Sequence, residues 1–248
     1  MIPALAPIFT GPLEHLGEML VVDDPRPAVP VEEALSPKLL PKLLSRFAQI
    51  YGQDPARNVG RDLRAVASQW SKWYFSRLVT PVLAANLALD WRLPVSGRET
   101  SLVLADDGRV VAVRLPHQGG PFDETPGQSR YAELFDDHVR SVVEAVARDS
   151  GLSPKVIWNN AGTAVETVLV RGEAQLGADT SQVAALRTLL QSRRHADGRP
   201  NPLFEPIRHV DLDGTIQRQR RVCCVRYLIP ELAFCKTCPI RPADKAGR

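Results

Sequence analysis

Residues 220–239 read Arg-Arg-Val-Cys-Cys-Val-Arg-Tyr-Leu-Ile-Pro-Glu-Leu-Ala-Phe-Cys-Lys-Thr-Cys-Pro. Cys223, Cys224, Cys235 and Cys238 are all the cysteines of the chain, spaced C-C-x10-C-x2-C. Every thiol is spent in one short segment, so none remains to staple the rest. The body must fold on an ordinary hydrophobic core. Its composition allows this: 248 residues with 44% hydrophobic content bury a core without cross-links.

Four readings of the thiols compete. Free cysteine is a common buried packing residue, but all four falling in one window argues against that. Paired disulfides suit an exported protein. Met1 to Pro7 lacks a basic n-region and prolines interrupt its apolar stretch, so no export signal is expected. Structural zinc usually takes two C-x2-4-C knuckles. Cys235 and Cys238 supply one, but the adjacent pair Cys223-Cys224 does not match the other. Neighbouring side chains of extended chain point apart, so this pair needs a turn before both sulfurs converge. A [2Fe–2S] rhombus is longer than one ion and offers two metal atoms, each taking two thiolates; it accepts a splayed pair more readily. Spacing by itself leaves iron–sulfur and zinc both open.

Arginine is dense around the cysteines: Arg193, Arg194, Arg199, Arg208, Arg218, Arg220, Arg221 and Arg226. One reading is a solvated basic face. The other is electrostatic, since guanidinium groups near an anionic cluster stabilise its reduced form and raise its potential.

Further outward, Asp211-Leu212-Asp213-Gly214 reads as a hairpin turn, and 195–206 as loop. Thr180 opens a helix running to about Arg193. Ser153-Pro154 reads as an N-cap followed by proline at the first helical position, opening a helix through Val168. Residues 130–148 have the clearest helical spacing, closed by Gly151. Leu102 and Leu104, then Val111, Val113 and Leu115, alternate around Asp106-Asp107-Gly108, a second hairpin signal. Residues 116–129 read as loop. Residues 61–90 form one long helix, or two joined near Pro81. Pro55 and Gly60 bound that element, and 37–51 is a shorter helix. The proline-rich residues 1–41 read as a loose arm with one short helix, Pro12 to Leu20.

The residues around the cysteines resemble the C-terminus of the FhuF-type ferric-siderophore reductases. The matching stretch is Arg220 to Tyr227, Pro230, and Cys235-Lys236-Thr237-Cys238-Pro239, with no departure in spacing. Ser68 to Phe75, Trp158-Asn159-Asn160 and Asn201-Pro202-Leu203-Phe204 are similar to other tracts of that family. The resemblance implies a [2Fe–2S] cofactor held by Cys223, Cys224, Cys235 and Cys238. It also implies a ferric siderophore as substrate and a chelate pocket in a mixed helical and sheet body.

The expected fold is therefore α+β: a mainly helical body with small antiparallel hairpins over 1–200 and a cluster-binding segment over 201–248. The expected activity is one-electron reduction of chelated Fe(III), with release of Fe(II). No protein residue is required as a catalytic acid or base. No nucleotide or flavin motif is present, so electrons come from a separate donor, a small redox protein or a reductase. The net charge of +3 does not argue for nucleic acid. The longest mainly apolar run, Leu78 to Leu89, falls short of the roughly 20 residues a membrane span needs. The chain is expected to be soluble and cytoplasmic, with peripheral contact to the inner membrane left open. The rival readings are a zinc-stapled module that binds siderophores without chemistry, a degenerate synthetase-like scaffold, and a ferredoxin-like electron carrier.

Of the remaining residues, His138 reads as a satisfied core histidine, while His117 and His209 read as loop or strand residues. Trp70, Trp73 and Tyr74 read either as core or as the wall of a pocket. Asn159 and Asn160 sit in a predicted helix interior, against local preference. Such a local inconsistency can mark a functional position.

Overall fold

A stripe of apolar residues spaced for a helix must be buried against something, and residues 64–89 are apolar nearly all round. The computed structural model describes residues 2–52, 63–123, 127–212 and 214–240. In chain order the strands and α-helices are β1 (Leu20–Val21), β2 (Ala28–Pro30), α1 (Val31–Ala34), α2 (Leu40–Ala48), α3 (Arg64–Leu89), β3 (Trp91–Arg92), β4 (Ser101–Leu104), β5 (Val110–Arg114), β6 (Gly120–Pro121), α4 (Arg140–Ser150), α5 (Pro154–Leu176), α6 (Ser181–Gln191), β7 (Ile207–Leu212) and β8 (Thr215–Arg220).

Helix α3 is the axis of the molecule. Trp70, Tyr74, Phe75 and Leu78 on it are fully buried, and its most extensive contact is with α5. Burying each such side chain contributes up to about 1.5–3 kcal/mol. The helix runs unbroken through Pro81. Of the two sequence alternatives, one long helix is correct. Burial on all sides offsets the hydrogen bond that proline cannot make to the Arg77 carbonyl.

A four-stranded sheet in the order β1-β5-β4-β2 packs beside α3. β4 and β5 form the first expected hairpin. Its turn is tied to the helices: Gly108 has φ +80°, a Cβ there would lie 2.5 Å from the Leu43 carbonyl oxygen, and its own carbonyl accepts from Trp70 Nε1 at 3.0 Å. Only glycine fits this place. β7 and β8 form the second hairpin, with Leu212 opposite Thr215. Asp213 in its turn lies outside the described residues, as do Pro55 and Gly60.

Three local expectations need correction. Residues 1–41 are not a loose arm. They supply β2 and also β1, which pairs in parallel with β5, and Ile2, Leu5, Phe9 and Leu16 are buried. Parallel pairing of a two-residue strand is a long-range event with no periodic signal. The helix expected at Pro12 to Leu20 is a 3₁₀ segment, Gly11–Leu16, that gives way to β1. The helix expected at 130–148 starts as 3₁₀ (Gln128–Tyr131), widens to a π-helix over Glu133–Val139, and becomes α4 only at Arg140. In that wide turn the Glu133 carboxylate accepts from the Val95 and Ser96 amides at 2.6 and 2.9 Å. Asp137 accepts from Ser96 Oγ at 2.7 Å. These bonds serve the orphan amides of the 95–97 loop.

Leu203 and Ile229 belong to the same core as the helices. Among the described residues, no helix is long and apolar enough to cross a membrane.

Candidate thiol centre

β8 delivers the chain to the cysteines, and its end is tied on both sides. The Arg220 amide donates to the Thr237 carbonyl at 2.8 Å, joining the two cysteine-bearing stretches. The Arg221 amide donates to the Pro206 carbonyl at 2.9 Å. α5 approaches Pro206 so closely that a Cβ on Gly162 would lie 2.7 Å from the proline ring. Val225, directly after the pair Cys223-Cys224, adopts a left-handed φ of +48°. The Cys238 amide donates to the Cys235 carbonyl at 3.1 Å, closing the C-x2-C turn.

The two asparagines that contradict helix preference turn out to be the anchors. Asn159 Oδ1 accepts from the Val222 amide at 3.0 Å, and its Nδ2 donates to the Pro206 carbonyl at 3.2 Å. Asn160 Oδ1 accepts from Arg220 Nη2, and its Nδ2 donates to Ser71 Oγ at 2.9 Å and to the Ser68 carbonyl at 3.0 Å. Ser68 Oγ donates to the Cys224 carbonyl at 2.7 Å. One buried network thus binds α3, α5 and the cysteine segment together.

All four cysteines are free thiols, which removes the disulfide reading. Cys224 is buried and the other three are half-buried. Cys224 and Cys235 sulfurs are 3.9 Å apart. Among the described residues, no three His, Cys, Asp or Glu side chains are arranged to hold a metal ion.

The Cys224–Cys235 hydrogen bond draws the Cys224 thiol down, with Lys72 and Arg220 adding to the effect against the opposing cost of burial. The same bond pushes Cys235 up, and burial pushes Cys223 up. The two cations respond to the site in turn. Burial lowers both Lys72 and Arg220, and the nearby sulfurs resist this, Cys224 foremost in each case. Arg220 is 4% exposed. Its guanidinium meets Asn160 Oδ1 and, at 3.4 Å, the Val222 carbonyl. Lys72 Nζ donates to Gln69 Oε1 at 3.2 Å. Among the described residues, neither cation has a carboxylate partner. A buried cation without a counter-charge costs several kcal/mol, so the four sulfurs are its natural counter-ion. One thiol drawn toward thiolate, three more in the same segment and two such cations beside them form a donor set that fits an anionic, thiolate-held iron centre.

Six of the seven other arginines in this stretch of sequence lie elsewhere. Arg218 pairs with Glu166, and Arg199 with Asp197 at 2.6 Å. Arg193 and Arg221 flank the Phe204 ring at 4.9 and 5.1 Å. Arg194 donates to the Gly198 carbonyl at 2.7 Å, and Arg208 is exposed on β7. The electrostatic role falls on Arg220 and on Lys72, which sequence reading missed. The available signal was a lysine one helical turn from Ser68, next to Trp73-Tyr74-Phe75.

His138 is a satisfied core histidine. Its Nδ1–H donates to the Val95 carbonyl at 2.7 Å, and its Nε2 accepts from the Tyr74 hydroxyl at 2.6 Å. His117 and His209 are exposed. Trp70 and Tyr74 are core, whereas Trp73 is half-buried and lines a groove beside β5.

Residues 68–216, more than half of the chain, match the family model described as "Ferric iron reductase FhuF-like transporter". The matched stretch starts at Ser68, the residue that holds the Cys224 carbonyl, and includes Asn159 and Asn160. The chain is also 29% identical, over 92% of its own length and 86% of the relative's, to the ferric siderophore reductase of Escherichia coli (strain K12). The chain belongs to the FhuF-like ferric iron reductase family.

Proposed function

We propose that this protein is a ferric-siderophore reductase whose redox centre is a [2Fe–2S] cluster held by Cys223, Cys224, Cys235 and Cys238. The observation that carries the reading is the pair of cations without carboxylate partners, Arg220 and Lys72, facing the sulfurs. The family membership and the relative's activity support the substrate class. When bound, such a centre supplies one electron to chelated Fe(III), which leaves as Fe(II), and takes one electron back from an external small redox protein or reductase.

The chain's own residues perform the rest. Ser68, Asn159 and Asn160 hold the segment 201–248 against the body of 1–200 and fix the orientation of Arg220. Arg220 and Lys72 oppose the negative charge that reduction adds, which raises the potential. Oxygen-donor chelates hold Fe(II) far less tightly than Fe(III), so electron delivery alone releases the ion. No side chain has to bond the substrate iron. We read the reaction as cytoplasmic, with any contact at the inner membrane peripheral.

Anaerobic purification with iron and sulfide analysis tests the cofactor, followed by stopped-flow mixing of the dithionite-reduced protein with ferric chelates. Two irons and two sulfides per chain, with reoxidation by the chelate, are expected. A colourless zinc protein would end the reading. A red-brown protein that no ferric chelate reoxidises would make it a carrier instead.

A further inference from the structure

A groove of about 650 Å³ lies between α3, β1 and β5. That is within the size range of small-molecule sites. Its wall is Trp73, whose Nε1 donates to the Val110 carbonyl at 2.8 Å and so fixes the ring. Two guanidinium groups lie against this one indole. Arg77 is 4.3 Å from the ring centroid and Arg109 is 4.9 Å.

Like charges held so close together are unfavourable unless something compensates them. Arg109 pairs with Asp107 at 2.7 Å. The two acidic side chains of the groove, Asp24 and Glu18, both act on Arg26. Arg77 donates to Met19 Sδ at 3.9 Å and to Ser76 Oγ at 3.4 Å, and among the described residues it has no carboxylate partner. Burial and the neighbouring Arg109 both disfavour its charge. The fold therefore holds at the groove wall a cation whose recorded hydrogen bonds, among the described residues, are both to neutral acceptors. Planar guanidinium forks of this kind suit oxygen anions.

The groove and the thiol centre share helix α3. Trp73 follows Lys72 in α3, and Lys72 is the residue that meets Cys224. Arg109 on the groove and Arg226 on the cysteine segment both act on the Tyr51 hydroxyl. The groove wall and the thiol centre are thus served by consecutive residues of one helix.

We propose that this groove is the chelate site, and that it selects anionic oxygen-donor complexes of trivalent iron through Arg77 and Arg109. The proposal rests on the reductase reading for its substrate, but its test does not depend on electron transfer. Gallium(III) complexes are not reduced by the protein, so they report binding alone. Calorimetric titration of the purified holoprotein would use a trianionic gallium tris-catecholate and a neutral gallium tris-hydroxamate.

Tighter binding of the trianion is expected, weakening with added salt. Arg77→Gln should lower the trianion's affinity roughly 10- to 100-fold, with an unchanged visible spectrum and potential of the thiol centre. Arg109→Gln is the second variant, should Arg77→Gln fail to fold, and is expected to act in the same direction. Native affinity in whichever variant folds, or equal affinity for the neutral complex, would overturn the proposal. Loss of the iron–sulfur reading would appear separately, in iron and sulfide content rather than in the titration.

Discussion

Asn160 is hydrogen-bonded to Arg220, and the same amide group holds Ser68 and Ser71 on α3. A single buried side chain therefore orients the guanidinium that faces the thiols and ties the helix carrying Lys72 to it. Asn160→Leu keeps the volume but strands Arg220, Ser68 and Ser71 without partners. It should destabilise the protein by about 2–4 kcal/mol and lower the iron content on purification. Denaturant unfolding and iron analysis check both effects; native stability with full iron would remove the anchoring role.

The charges of Arg220 and Lys72 are expected to be felt by the redox centre. Lys72→Gln should lower its reduction potential by on the order of 50–100 mV, the equivalent of roughly 1–2 kcal/mol at short range in a partly screened site. Arg221→Gln should change it much less, since Arg221 is exposed and faces Phe204. Protein-film voltammetry on the two variants separates them. Equal shifts would return the effect to general surface charge.

Cys235 lies within reach of Cys224 and begins the C-x2-C turn. Cys235→Ser is expected to abolish or strongly weaken incorporation of the iron centre, read as loss of visible absorption and of acid-labile sulfide. An unchanged spectrum would refute the four-thiolate assignment.

Burial lowers His138 to about 4, against an ordinary value of 6.5. The neutral ring donates to Val95 and accepts from Tyr74; protonation takes away the acceptor of the Tyr74 hydroxyl and places a charge in the core. The neutral ring's stabilising contribution is complete above pH 6.5 and disappears as the pH falls toward 4, by about 1.4 kcal/mol per pH unit in that window. Urea unfolding from pH 7 to 4 should show this slope in the native protein and a flatter one in His138→Asn. Parallel slopes would assign the acid sensitivity to other groups.

Much of the fold was legible wherever the signal is local. The Asp106-Asp107-Gly108 turn, the Ser153-Pro154 start of α5 and the Gly151 end of α4 are where spacing and turn chemistry predict them. The misreadings are all long-range. β1 is two residues whose partner lies more than ninety positions away in sequence, at Val113 and Arg114. The π-helix exists because Glu133 and Asp137 serve amides in the 95–97 loop, a demand that helical periodicity cannot express.

The sequence by itself determined that all four thiols fall in one short segment, on a chain with enough apolar residues for a core. It also flagged Asn159 and Asn160 as out of place in a helix. Only the tertiary structure decided what surrounds the sulfurs. Ser68, Lys72 and Asn160 come from helices far away in sequence, and which of many basic residues face the thiols depends on how α3 packs against α5. Thiol spacing is a property of neighbouring residues. The electrostatic setting of those thiols is a property of burial and approach, which exist only once the core has formed.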